Sequence, residues 1–117
     1  MQKNYKGGCH CGAVRYQFTA EINDVMACNC SMCAKRGHLL TFVPADQFAL
    51  ESGENNLTDY QFGSKTIHHL FCSTCGVNSF AKGKMPDGSE VRAINVCCVD
   101  DIDLSALPIN HVNGKDL

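Results

Sequence analysis

Seven of the nine cysteines in this 117-residue chain fall into three tight groups. They are Cys9-His-Cys11-Gly, Cys28-Asn-Cys30-Ser-Met-Cys33 and Cys72-Ser-Thr-Cys75-Gly. Thiols this close in sequence pair poorly as disulfides, but the spacing suits thiolate ligands of a metal. Four thiolates close one tetrahedral zinc site, and three leave a second zinc with a vacant position. The count therefore predicts two Zn2+ per chain, of different character.

The bulk properties fit such a staple. A chain this short makes one zinc-binding domain over residues 1–117, with a modest core that bound metal would reinforce. Its net charge is −2 and its ten basic residues are scattered, so nothing tracks a phosphate backbone and nucleic-acid binding is not expected. No apolar run approaches a membrane span, and the N-terminal MQKNYKGG has no hydrophobic signal core. Reduced thiols and an odd cysteine count point to the cytoplasm.

The remaining pattern reads as mainly β. Val14 to Thr19 alternates apolar and polar residues, and Leu39–Val43, Phe48–Leu50, Asp59–Phe62, Thr66–Phe71, Val77–Ala81 and Val91–Val99 are further strand candidates. Gly63-Ser-Lys65 and Pro86-Asp-Gly88 are turn signals. Two short helical turns are expected. One runs from Ser31 to Arg36 and closes at Gly37; the other starts at the cap Asp103.

Within the cysteine groups, C-x-x-C brings two sulfurs to one metal, and glycines at 12 and 76 permit the tight turns that follow. An i, i+2 pair on a regular strand is slightly too wide for one tetrahedron, so a kink at His10 is needed. Cys9, Cys11, Cys72 and Cys75 then form a structural zinc site; a redox C-x-x-C or buried thiols are the alternatives. Cys28, Cys30 and Cys33 run into Ala34-Lys35-Arg36. Three thiolates on zinc leave a position for water or substrate, and an incoming thiol would ionise and take the site to −2. Lys35 and Arg36 are placed to favour that charge, and are equally readable as solvated surface charge. Cys97 and Cys98 read as buried structural thiols; the alternatives are a redox pair or, since adjacent side chains face opposite ways, at most one ligand to a metal shared with Cys28, Cys30 and Cys33. His69 and Asp59 are candidates for proton transfer. His10 reads as a spacer; His68 and His69 face opposite sides of one strand, where packing or surface exposure is expected and a fourth metal ligand or proton shuttle is the alternative.

These residues, taken in order, resemble the glutathione-dependent formaldehyde-activating enzyme family, which includes centromere protein V. The likeness rests on the three cysteine motifs, and extends through Gly53–Thr58, Pro86–Gly88 and Asp100–Pro108 to span about residues 5 to 114. It departs at Cys97, where many relatives carry arginine. The resemblance implies an Mss4-like β-tent of short antiparallel strands with two zinc sites. It implies that Cys9, Cys11, Cys72 and Cys75 hold the structural zinc and Cys28, Cys30 and Cys33 the catalytic one. The implied activity is a carbon–sulfur lyase joining glutathione and formaldehyde as S-hydroxymethylglutathione. The rival expectation is a zinc-stabilised binding module or glutathione carrier without catalysis.

Overall fold

The computed structural model describes residues 2–114. Ten strands form two sheets. The smaller is antiparallel, in the order β1 (Lys3–Gly8), β2 (Arg15–Ala20), β5 (Phe48–Ser52). The larger has seven strands in the order β10 (Ile109–Val112), β3 (Val25–Cys28), β4 (Leu40–Pro44), β9 (Glu90–Asn95), β8 (Phe80–Lys84), β7 (His68–Cys72), β6 (Leu57–Tyr60). Between β3 and β4 lies the one α-helix among the described residues, α1 (Ser31–Arg36). The mainly β expectation is met.

The core follows from the alternation in β2. Tyr16, Phe18 and Ala20 point inward and are buried, while Arg15, Gln17 and Thr19 stay half-exposed. The inward residues share one buried cluster with Val14, Val43, Leu70, Phe80 and Ile94. Phe48 joins them, with ring centroids 5.2 Å from Tyr16 and 4.9 Å from Phe80. Each such fully buried apolar side chain stabilises the fold by roughly 1.5–3 kcal/mol. The Tyr16 hydroxyl donates to the Ser79 carbonyl oxygen at 3.1 Å, so its polar end is satisfied inside the core. Burial holds that phenol well above its ordinary range.

Both helical expectations are met. α1 is capped by the Cys30 side chain and ended by Gly37 in the left-handed conformation (φ 66°). The Asp103 side chain caps a 3-10 turn at Leu104–Ala106. Several features differ from the sequence reading, among them two strands that it does not anticipate, β1 and β3. β9 ends at Asn95 rather than Val99, because the Asn95 side chain accepts from the Cys97 N–H and turns Val96–Cys98 into a 3-10 segment. The strand expected at Val77–Ala81 instead occupies Phe80–Lys84, since the Val77 carbonyl closes the Cys72 turn by accepting from the Cys72 N–H at 3.0 Å. β10 pairs with β3 in parallel, in a fold otherwise built of antiparallel pairs. That pairing sets Val112 beside Cys28. No helix among the described residues is long and apolar enough to cross a membrane.

Candidate metal centres

Cys9 and Cys11 lie in the turn between β1 and β2, beyond the end of the strand. The Cys9 N–H donates to the Val14 carbonyl at 3.1 Å, and the Val14 N–H donates to Cys9 Sγ at 3.3 Å. This closed loop supplies the kink that a strand lacks and brings Cys9 Sγ within 3.6 Å of Cys11 Sγ. Cys72 ends β7, and its turn is closed by the Gly76 N–H donating to the Cys72 carbonyl at 2.8 Å. Gly12 (φ 84°) and Gly76 (φ 80°) both adopt the left-handed conformation that glycine takes without cost.

The four sulfurs of Cys9, Cys11, Cys72 and Cys75 all lie within 4.8 Å of one another, and Cys11 and Cys72 are 3.6 Å apart. A tetrahedron with Zn–S bonds of about 2.3 Å has sulfur–sulfur edges of about 3.8 Å, so the donor set fits. Cys72 Sγ accepts from the N–H groups of Thr74 (3.4 Å) and Cys75 (3.5 Å) and from the Asn56 amide (3.4 Å). Such donors stabilise thiolate. The Cys75 and Val77 N–H groups respectively hold Cys72 below the ordinary thiol range and Cys75 down at about 6. The Ala13 N–H works in the same direction on Cys11, but burial and the neighbouring thiols win and push it up to about 11. Four thiols this close cannot all ionise by themselves; a divalent cation among them removes the conflict.

The second group is built differently. Cys28 ends β3, Cys30 is the N-cap of α1, and Cys33 lies in the first turn of the helix. Cys30 Sγ accepts from the Cys33 N–H at 3.4 Å, and Cys28 Sγ from the Cys30 N–H at 3.5 Å. Burial opposes ionisation of Cys30, yet the Cys33 N–H and adjacent thiols hold it below the ordinary range. Burial, with the neighbouring Cys30, pushes Cys33 up to about 12. The three sulfurs could hold a metal ion, and no fourth Cys, His, Asp or Glu among the described residues joins them.

The segment after β10 packs against this group. The Asn29 N–H donates to the Val112 carbonyl at 3.2 Å, and a Cβ placed on Gly114 would collide with Cys28 Sγ. Only glycine fits there without displacing the thiol.

Cys28, Cys30 and Cys33 open into a cavity of about 280 Å³ on the face of the larger sheet. Strand register explains its shape. One row across that face reads Phe42, Ala93, Ala81, His69, Tyr60, so two alanines form a hollow between larger rings. Gly83, opposite Val91, extends the hollow toward the next row. Met26, Leu40, Phe62 and Ile67 complete an apolar wall. Two imidazoles also line it. His69 is buried with its ring stacked on Phe62, centroids 5.3 Å apart, while both ring nitrogens of His38 are buried without a hydrogen-bond partner. Burial, then the nearby Arg36 charge, pushes both imidazoles below the ordinary histidine range. Both are neutral near pH 7 and able to accept a proton.

The structure separates several residues that sequence grouped together. Arg36 is half-buried, within electrostatic reach of Cys33 and with one guanidinium nitrogen buried and unpartnered, whereas Lys35 is exposed. His69 faces the cavity, but Asp59 is held away from it by His68 at 2.6 Å. Cys97 is exposed rather than buried, and Cys98 is half-buried beside Cys9 and Cys75, where burial first and Cys97 next push its thiol up to about 11. None of the nine cysteines is in a disulfide. Sequence reasoning missed His38 and Gly114. His38 follows the helix-ending Gly37 and has no metal-ligand spacing to mark it; the only signal at Gly114 was glycine itself.

A β-rich fold with two separate thiol clusters, each able to hold a metal, defines a small cysteine-cluster protein. The chain belongs to the glutathione-dependent formaldehyde-activating enzyme family, whose model matches residues 4–114. Glutathione-dependent activation of formaldehyde is the activity for which that family is named. The crystal structure of a Rhodobacter sphaeroides protein is similar, with a TM-score of 0.75 and 32% identity, over 90% of this chain and 99% of that one.

Proposed function

We propose that the chain is a zinc-dependent carbon–sulfur lyase acting on the adduct of a small thiol and an aldehyde. Glutathione and formaldehyde are the pair the family points to, with S-hydroxymethylglutathione as the adduct. Cys9, Cys11, Cys72 and Cys75 are assigned to a structural Zn2+, and Cys28, Cys30 and Cys33 to a catalytic one. The observation carrying this reading is that three clustered thiols and two imidazoles line one cavity. When bound at these three thiols, zinc supplies a Lewis-acidic position for one further sulfur.

The chain's own groups account for the proton and the charge. His38 or His69 accepts the S–H proton at a ring nitrogen. The sulfur forms its bond to the carbonyl carbon as the C=O π bond breaks, and the imidazole returns the proton to the new alkoxide oxygen. Cleavage reverses each step. Arg36 offsets the negative charge that gathers at the thiol cluster. Lys35, being exposed, adds only to the potential outside. The cavity holds the partners close, which supplies the proximity gain.

Calorimetry of the zinc-loaded protein tests this assignment. Glutathione should bind and S-methylglutathione should not, because only the former has a sulfhydryl to ionise. Equal affinity for the two would contradict it.

A further inference from the structure

The cavity is larger and more apolar than the substrates named above require. Formaldehyde has only two heavy atoms. Glutathione carries two carboxylates and an ammonium, which are costly to place against Met26, Leu40, Phe42 and Ile67. A dry apolar cavity of about 150 Å³ is enough to hold benzene; this one measures about 280 Å³. At its rim Phe42 and Ile67 are 49% and 46% exposed, apolar surface that an occupant would withdraw from water. Its depth comes from the small residues Ala81 and Ala93, paired at one register position, and from Gly83 opposite Val91, rather than from a loosely covered edge.

We propose that this cavity takes an apolar substituent, of aryl or short-alkyl size, carried by the sulfur compound bound at Cys28, Cys30 and Cys33. The proposal rests on the thiol–aldehyde reading above and narrows its substrate class. The apolar group arrives either on the thiol itself or on the carbonyl carbon of a glutathione adduct. A small molecule is favoured over a second copy of the chain because the cavity is lined by three clustered thiols and by His38, whose ring nitrogens are unpartnered, groups a packed protein surface would leave unsatisfied. Lys82 and Lys84 also line the cavity and are its competing, anion-seeking feature.

The test uses calorimetry and the thiolate charge-transfer band of the cobalt-loaded protein. One arm compares phenylmethanethiol, 2-mercaptoethanol and glutathione. The other compares glutathione plus phenylacetaldehyde with glutathione plus formaldehyde. In whichever arm matches the source, the apolar ligand should bind at least tenfold more tightly than its small counterpart. Ala93→Leu, which fills the hollow from the face opposite the core, and Phe42→Asp, at the exposed rim, should each erase that advantage. Circular dichroism confirms that both variants fold. An advantage that survives both variants, or glutathione binding more tightly than phenylmethanethiol with no gain from phenylacetaldehyde, would overturn the proposal while leaving the zinc–thiol reading intact. A dimer dissociated by Phe42→Asp with no change in thiol affinity would assign the rim to self-association and overturn it too. If no thiol perturbs the cobalt band, the underlying reading itself fails.

Discussion

The two cysteine clusters share one chemistry and differ in what surrounds them. The four-thiol cluster ties the β1–β2 turn to the end of β7, sixty-one residues away, and its sulfurs form a complete set. The three-thiol cluster is local, assembled within six residues at the joint of β3 and α1, and it faces a cavity. A cluster that crosses the fold can stabilise it, because closing a long loop constrains the unfolded chain more than closing a short one. A local cluster contributes less to stability and is free to be one ligand short.

The largest expected effect lies at the first cluster. Cys72→Ser should abolish cooperative unfolding or leave the protein insoluble. Structural zinc binding in small domains is worth about 10–16 kcal/mol, as much as the whole stability of a typical domain. A thermal transition matching that of the parent would show that the cluster is not structural.

At the second cluster the same type of change should spare the fold. Cys30→Ser keeps an N-cap oxygen for the Cys33 N–H, so the helix cap should change by less than about 1 kcal/mol. Metal content should drop from two ions per chain to one, and glutathione binding should vanish. Unchanged thiol affinity would remove this cluster from the function.

A smaller effect is expected at Gly114. A methyl group there would push against Cys28 Sγ, so Gly114→Ala should weaken the second metal by roughly 10- to 100-fold, as disturbed ligand surroundings do. A chelator competition series measures this; the first metal should be untouched.

The smallest effect is on pH dependence. Burial depresses His38 and His69, so the folded protein binds fewer protons than the unfolded chain below the ordinary histidine value of 6.5. Their contribution is present above that value and is lost as pH falls through the lower folded values. The double variant His38→Gln, His69→Gln should lose less stability than the parent between pH 6.5 and 5, read from urea midpoints. Parallel pH profiles would contradict the burial argument.

Much of this contrast was legible in the residues. The partition into four and three thiols follows from spacing, and glycine after each pair marks the turns. The Ser31–Arg36 helix follows from Gly37, and the 3-10 turn from Asp103. What escaped reading depends on distant neighbours. β10 was invisible because Ile109–Val112 is mostly exposed and gains its place only by parallel pairing with β3. β1, with the sequence KNYKGG, buries only its two glycines and carries no apolar alternation. The end of β9 depends on one side-chain bond from Asn95, and so exposes Cys97. The cavity is assembled from single residues of successive strands, and no local pattern announces that Ala81 and Ala93 sit side by side.

The unequal pair of sites is tested most directly by zinc-edge X-ray absorption of the fully loaded protein. With four and three cysteine ligands, the average is expected to be about 3.5 sulfurs per zinc before thiol is added and about 4 at saturation. An average of 4 at the outset, or one that does not rise with added thiol, would contradict an open second site.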